Sequence, residues 1–135
     1  MHDIKDSPQW RKEVIEDSKF VSDLRNVALS FSTDGFPLDK QMKSSVWAGA
    51  SQMLNRPPET RGKPHNILLH WLTTGGKSPK SLQAIMSVLV DDLLWAWNEG
   101  TPVTDSVTNT EFMCLVKLLT VRADYPGNAL CTVCC

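Results

Sequence analysis

Hydrophobic residues alternate with polar or small residues in several short stretches, the period expected of β-strands. Strands are predicted at residues 26–34, 44–54, 65–73 and 112–121. In the first stretch Val27, Leu29 and Phe31 share one face. The other face carries Ala28, Ser30, Ser32 and Asp34. The polar residues 101–110 are predicted to form a loop before the fourth strand.

A helical period separates the third strand from the fourth. Ser78 is predicted to cap this helix, and Gly100 to end it. Apolar residues recur between them at spacings of three and four: Leu82, Ile85, Met86, Leu89, Leu93 and Trp97. They therefore form one buried face. Trp95 lies off this stripe, where we expect partial burial, with an interface role as the alternative. A short helix is also predicted at residues 8–18, capped by Ser7.

The order strand, strand, strand, helix, strand predicts an α/β fold. Three consecutive strands can form an antiparallel meander, and the helical crossover lets the fourth strand run parallel beside the first. This is the layout of a ribonuclease H-like fold, here a partial one with a mixed sheet. We expect an N-terminal arm with a short helix over residues 1–25 and the truncated ribonuclease H-like domain over residues 26–135.

Composition limits the class of protein. A chain of 135 residues with 41% hydrophobic and 21% charged residues can form one domain with a core. Its net charge of −1 gives no overall signal for nucleic acid. The polar N-terminus predicts no signal peptide, and the longest apolar stretch, 85–97, is too interrupted to span a membrane. Four cysteines in such a chain predict a reducing, intracellular compartment.

Asp34 and Asp124 each follow an apolar run predicted to be a strand. Carboxylates at the carboxyl ends of neighbouring parallel strands can share a divalent metal, as phosphoryl-transfer chemistry requires. The alternative for Asp34 is a turn, because Asp-Gly is a common turn pair. The other aspartates considered are interpreted as solvated surface: Asp39, Asp91 and Asp92.

The C-terminal cysteines allow several hypotheses. Cys131 and Cys134 have the spacing of half a zinc site, but a closed site needs four ligands. A redox pair and unpaired thiols are the alternatives. The loop around Arg56, Arg61 and Lys63 could contact a DNA backbone, or it could be a solvated loop.

Four segments in order resemble CACTA-type (En/Spm) DNA transposases. Residues 26–37, NVALSFSTDGFP, resemble the family segment R-N-V-x-L-x-x-x-T-D-G-F, and the preceding SPQW resembles its upstream aromatic segment. Residues 77–95, which end in VDDLLW, are similar to the helix that carries L-x-P-L-V-D-E-L-x-x-L-W. Residues 121–134 resemble D-x-P-A-x-G followed by C-x-x-C, although Gly127 replaces an alanine-rich turn.

The resemblance implies a DDE/D catalytic core that cleaves and transfers DNA strands. It assigns the first two acids to Asp34 and Asp124, which would bind Mg²⁺ or Mn²⁺, and it implies transposon-end DNA as partner and the nucleus as location. The family's third acid would lie beyond Cys135, so we expect a fragment that is inactive alone. The alternatives are a non-catalytic, transposon-derived module that binds DNA or protein, or a small Zn²⁺ module built on Cys131 and Cys134.

Overall fold

The computed structural model describes residues 3–38, 44–75 and 81–123. Within them, six strands form a four-stranded sheet and a two-stranded sheet. The strands are β1 (Val27–Pro37), β2 (Ser45–Met53), β3 (Ile67–Gly75), β4 (Thr101–Asp105), β5 (Thr110–Cys114) and β6 (Val116–Ala123). The helices are α1 (Pro8–Trp10), which continues as a π-helical turn (Arg11–Ile15), α2 (Pro58–Arg61) and α3 (Gln83–Asn98), with 3₁₀ turns at Ile4–Asp6 and Pro64–Asn66.

The larger sheet has the strand order β3-β2-β1-β6. β1 and β2 are antiparallel, as are β2 and β3, whereas β6 runs parallel to β1. The predicted meander and the predicted parallel fourth strand are therefore confirmed, and the fold is α/β with a mixed sheet. α3 lies in the connection between β3 and β6, which gives the chain the length that a parallel crossover needs.

The predicted end of the first strand at Asp34 is wrong, because β1 continues to Pro37. Pro37 pairs with Ser45, and the next pair is joined by a hydrogen bond from the Leu38 amide to the Ser44 carbonyl (2.9 Å). Antiparallel pairs alternate between hydrogen-bonded and non-hydrogen-bonded positions. Pro37 therefore occupies a position that needs no N–H donor, and it does not break the strand.

The predicted loop at residues 101–110 is also wrong, because β4 and β5 form a hairpin in this region. Its turn is stabilised by Asp105, whose carboxylate accepts from the Val107 amide (2.9 Å), and by Asn109 at a positive φ of 53°. The predicted fourth strand divides at Leu115. At this point the Leu115 amide donates a hydrogen bond to the Asn26 side-chain oxygen (2.8 Å). The Leu115 carbonyl accepts a hydrogen bond from the Val27 amide (2.8 Å).

Two apolar clusters hold the sheet. Alternation along β1 sends Phe31 and Ala28 to opposite faces. On one face α3 contributes most of its predicted stripe, and the buried cluster there is Phe31, Trp47, Leu82, Met86 and Leu89. Trp97, the last residue of the stripe, packs against the second cluster instead. The second cluster joins the N-terminal segment to the strands: Trp10, Val14, Phe20, Ala28, Leu54 and Leu119. The helical segment that precedes β1 therefore packs directly against the sheet.

Polar contacts with the C-terminal end of α3 and with β6 also hold the N-terminal segment in place. The Lys19 ammonium donates to the carbonyls of Trp97 and Asn98 at the end of α3 (2.7 and 3.3 Å). Lys117 of β6 bridges Glu13 (2.7 Å) and Asp17 (2.8 Å). Among the described residues, no helix has both the length and the apolar character needed to cross a bilayer.

Candidate functional site

Asp34 lies inside a paired strand and not in a turn. Its cross-strand partner is Ala48, which in turn pairs with Leu72 of β3. Its carboxylate accepts a hydrogen bond from the Gly35 amide (2.7 Å), and the residue is exposed. Because side chains alternate along a strand, Asp34 projects from the face opposite to Phe31, and so opposite to α3. A strand paired through this position thus holds the carboxylate towards solvent.

The strand beside Asp34 is the one that leads to Asp124. β6 pairs with β1 in parallel register, with Ser32 beside Arg122 and Thr33 beside Ala123. Ala123 is the last described residue of this strand. Asp124 lies outside the described residues, so its distance from Asp34 stays a prediction. The predicted pairing of the two strands that carry the aspartates is confirmed up to the residue before each of them.

Polar side chains from β1 and β6 share the Asp34 face. The Thr120 hydroxyl donates to the Ser30 hydroxyl across the strand pair (2.8 Å). Ser32 donates to the Ala50 carbonyl (3.4 Å), and its partner Arg122 is exposed. The sheet therefore presents one carboxylate and one guanidinium on neighbouring strands. Sequence reasoning missed Arg122, although its alternation with Val121 could have placed it on the polar face.

Two tryptophans support this part of the sheet from the other face. The indole ring of Trp47 lies over Gly35, and that of Trp71 lies over Gly49; each is a cross-strand pair. A Cβ atom on either glycine would collide with the ring, so glycine is required by close approach. The Trp71 ring also contacts Phe31, with centroids 5.2 Å apart. The backbone that carries Asp34 is therefore backed by close-packed aromatic rings.

The metal hypotheses depend on residues outside the described ranges. Within residues 3–38, 44–75 and 81–123, no group of three or more His, Cys, Asp or Glu could hold a metal ion. Asp124, Cys131 and Cys134 fall outside these ranges. The Asp34 carboxylate is a hard oxygen donor, which fits Mg²⁺, an ion that keeps several waters and needs few protein ligands. The Mg²⁺ and Zn²⁺ sites stay predictions.

A family comparison decides the class of this protein. A family model described as transposase family tnp2 matches residues 1–134. The chain belongs to this transposase family. The comparison with curated proteins gave no match, and neither did the comparison with solved structures. The match of this tnp2-family chain includes both the N-terminal helical segment and the sheet.

Membership in a transposase family suggests DNA as a partner, so the positions of the basic residues matter. In the predicted basic loop, Arg61 is held by Asp3 through two hydrogen bonds of 2.6 and 2.9 Å. The guanidinium holds the pKa of the Asp3 carboxyl below its usual range. Arg61 therefore joins Asp3 to α2, whereas Arg56 and Lys63 are exposed. Among the described residues of β1 and β6, Arg122 is the exposed cation.

The other predicted aspartates that the structure describes lie away from this face. Asp91 and Asp92 are exposed on α3, as predicted. Asp39 lies outside the described residues. His70 is occupied by a hydrogen bond with the Ser51 hydroxyl (2.8 Å), and burial lowers the pKa of its imidazole. Among the residues that the structure describes, Asp34 is thus the acidic residue on the polar face formed by β1 and β6.

Proposed function

We propose that this tnp2-family chain is the part of a CACTA-type (En/Spm) DDE/D transposase core that carries its first two acids on a ribonuclease H-like sheet. One observation carries the proposal. β6 runs parallel beside β1, and the pair Thr33–Ala123 directly precedes Asp34 and Asp124 in the chain. The sheet order β3-β2-β1-β6 and the match to a transposase family support the same proposal.

The chemistry assigned to the acids follows from their oxygen donors. Asp34 and Asp124 would hold Mg²⁺ or Mn²⁺, because these hard cations prefer carboxylate ligands. Such an ion, when bound, activates the attacking hydroxyl and stabilises the leaving oxygen in DNA strand transfer. The chain's own part is to fix one carboxylate on β1 and to offer the Arg122 guanidinium to a phosphate of the transposon-end DNA. The expected site of action is the nucleus.

Metal-dependent stability tests this proposal. Thermal unfolding of the chain is measured with Mn²⁺ or Mg²⁺ added, for the wild type and for Asp34→Asn, Asp124→Asn and Asp92→Asn. A ligand that binds only the folded state at 100 times its dissociation constant adds about 2.7 kcal/mol. We expect the metal to raise Tm in the wild type and in Asp92→Asn, an acid on the other side of the sheet, but not in the two site variants.

Two results would count against the metal site. One is an absence of any metal response in the wild type. The other is an equal response in wild type and Asp34→Asn, since the ion would then bind elsewhere on the chain.

Exposed apolar side chains favour a second candidate, a non-catalytic module that binds DNA or protein. Leu69 and Leu72 of the edge strand β3 are exposed, and so are Leu94 and Trp95 of α3. Leu69 and Leu72 lie beside Ala50 and Ala48 on the Asp34 face, whereas α3 lies on the other face, so the chain has two separate groups of exposed apolar residues. Exposed apolar groups of this kind are typical of interaction surfaces. DNA binding without a metal response, and unchanged in Asp34→Asn, would support this candidate over the catalytic core.

A further inference from the structure

Helix α3 is apolar on more than the face that it buries. Its inner stripe packs on the sheet through Met86 and Leu89. On its outer side Val88 is 61% exposed, while Leu94 and Trp95 are each 53% exposed. A helix that is hydrophobic all round is usually covered on all sides. The outer side of α3 therefore presents large apolar side chains to solvent between its polar residues, as interaction surfaces do.

The outer residues form a continuous seam. Positions that repeat at spacings of four and three lie on one side of a helix, as in a coiled coil. On α3 we define the outer seam as Ala84, Val88, Asp91, Trp95 and Asn98, all of which the sequence places at these spacings. Leu94 flanks the seam. Asp91 lies at its centre, where a partner helix would cover it.

Charge decides which partner fits the seam. α3 contains no Lys or Arg, and within the described residues neither Asp91 nor Asp92 takes part in an ion pair. A second copy packed antiparallel about the middle of α3 would bring two Asp91 carboxylates together, and like charges repel. DNA is disfavoured for the same reason, because the seam presents acids to phosphates. A cationic side chain facing Asp91 would instead form an ion pair shielded by Val88 and Trp95.

We propose that the outer seam of α3 binds an amphipathic helix of another protein, with Lys or Arg at the centre of its apolar seam. α3 lies on the face of the sheet opposite to Asp34, so the docked helix leaves the Asp34 face open to DNA. The surface is independent of the metal site. It gives the transposase chain a place to assemble with a protein partner.

Two synthetic helical peptides test the proposal with the full chain. They share a Leu/Ala seam and differ only in a central Lys or Glu; each carries fluorescein for anisotropy titration. We expect the Lys peptide to bind at least about fivefold more tightly than the Glu peptide. Asp91→Lys should reverse this preference, while the control Glu59→Lys, a matched charge change on α2, should leave it unchanged.

Further measurements keep the proposal falsifiable. Trp95→Ser should abolish binding of the Lys peptide while the chain stays folded, with a cooperative unfolding transition and a Tm close to that of the wild type, since about half of this side chain is exposed. Equal binding of the two peptides, or binding of neither, would overturn the proposal. Sedimentation equilibrium provides the last test. A wild-type dimer that Trp95→Ser dissociates would assign the seam to a second copy and overturn it as well.

Discussion

Thr33 of β1 lies beside Ala123 of β6 in a parallel strand pair. These two residues immediately precede Asp34 and Asp124 in the chain. Side chains at matched positions of neighbouring strands point to the same face of a sheet. The relationship therefore brings two distant stretches of sequence side by side as far as the residue before each aspartate.

Asp34 is expected to matter for ligand binding and not for folding. Its carboxylate is exposed and accepts one hydrogen bond, from the amide of the adjacent Gly35. In metal-free buffer, Asp34→Asn should therefore change the free energy of unfolding by less than about 0.5 kcal/mol, the usual range for surface substitutions. Urea denaturation measures this. A much larger loss of stability would show that the carboxylate has a structural role.

Gly49 should be among the least replaceable residues of the sheet. A methyl group at this position collides with the indole ring of Trp71, so Gly49→Ala forces the ring or the strand to move. Overpacking of this kind costs about 1–3 kcal/mol. Gly62→Ala is the matched control, because nothing lies within 4 Å of its added methyl group. Equal unfolding midpoints in urea for the two variants would refute the close approach.

Phe31 and Phe36 lie on the same strand, but only Phe31 is part of the core. Phe31 is 0% exposed between α3 and Trp71, whereas Phe36 is 49% exposed. Phe31→Ala should lower the free energy of unfolding by about 3–5 kcal/mol, as buried phenylalanine truncations do. Phe36→Ala should cost less than about 1 kcal/mol. The two values, measured by denaturant titration, check that Phe31 is part of the core and that Phe36 is not.

The ion pairs of Lys117 predict how stability depends on pH. Its hydrogen bonds hold the pKa of Glu13 and that of Asp17 below their ordinary values. Carboxyl groups with a lowered folded pKa add stability above their unfolded pKa of about 4, and this stability is lost as the pH falls through the folded pKa. Tm should therefore fall on acidification below about pH 4.

Replacement of the lysine tests the cause of this acid dependence. Lys117→Met should lower Tm at pH 7 and make the decrease below pH 4 shallower, because neither carboxyl group retains its ion pair. Lys12→Met is the control, since the Lys12 side chain is 79% exposed and lies 4.0 Å from Glu13. An acid profile that is the same in Lys117→Met and wild type would assign the pH dependence to other carboxyl groups.

Local periodicity was enough to predict most of the larger sheet. The alternation around Phe31, the three-and-four spacing around Met86 and the helix before the last strand specified the α/β class and the parallel pairing of the outer strand. The position of a carboxylate directly after an apolar run identified Asp34 as a candidate. These features follow from side chains that lie within a few residues of one another, and such spacing is visible in the sequence.

Pairing between distant segments decided the rest. β1 passes Asp34 because β2 supplies partners as far as Ser45, and the polar residues of β4 form a strand because β5 lies beside them. Arg122 joins the Asp34 face through its register with Ser32. The sequence by itself determined which residues repeat with a helical or strand period. Only the tertiary structure decided which strand each one faces, because hydrogen bonds and ring contacts across strands join residues far apart in the chain.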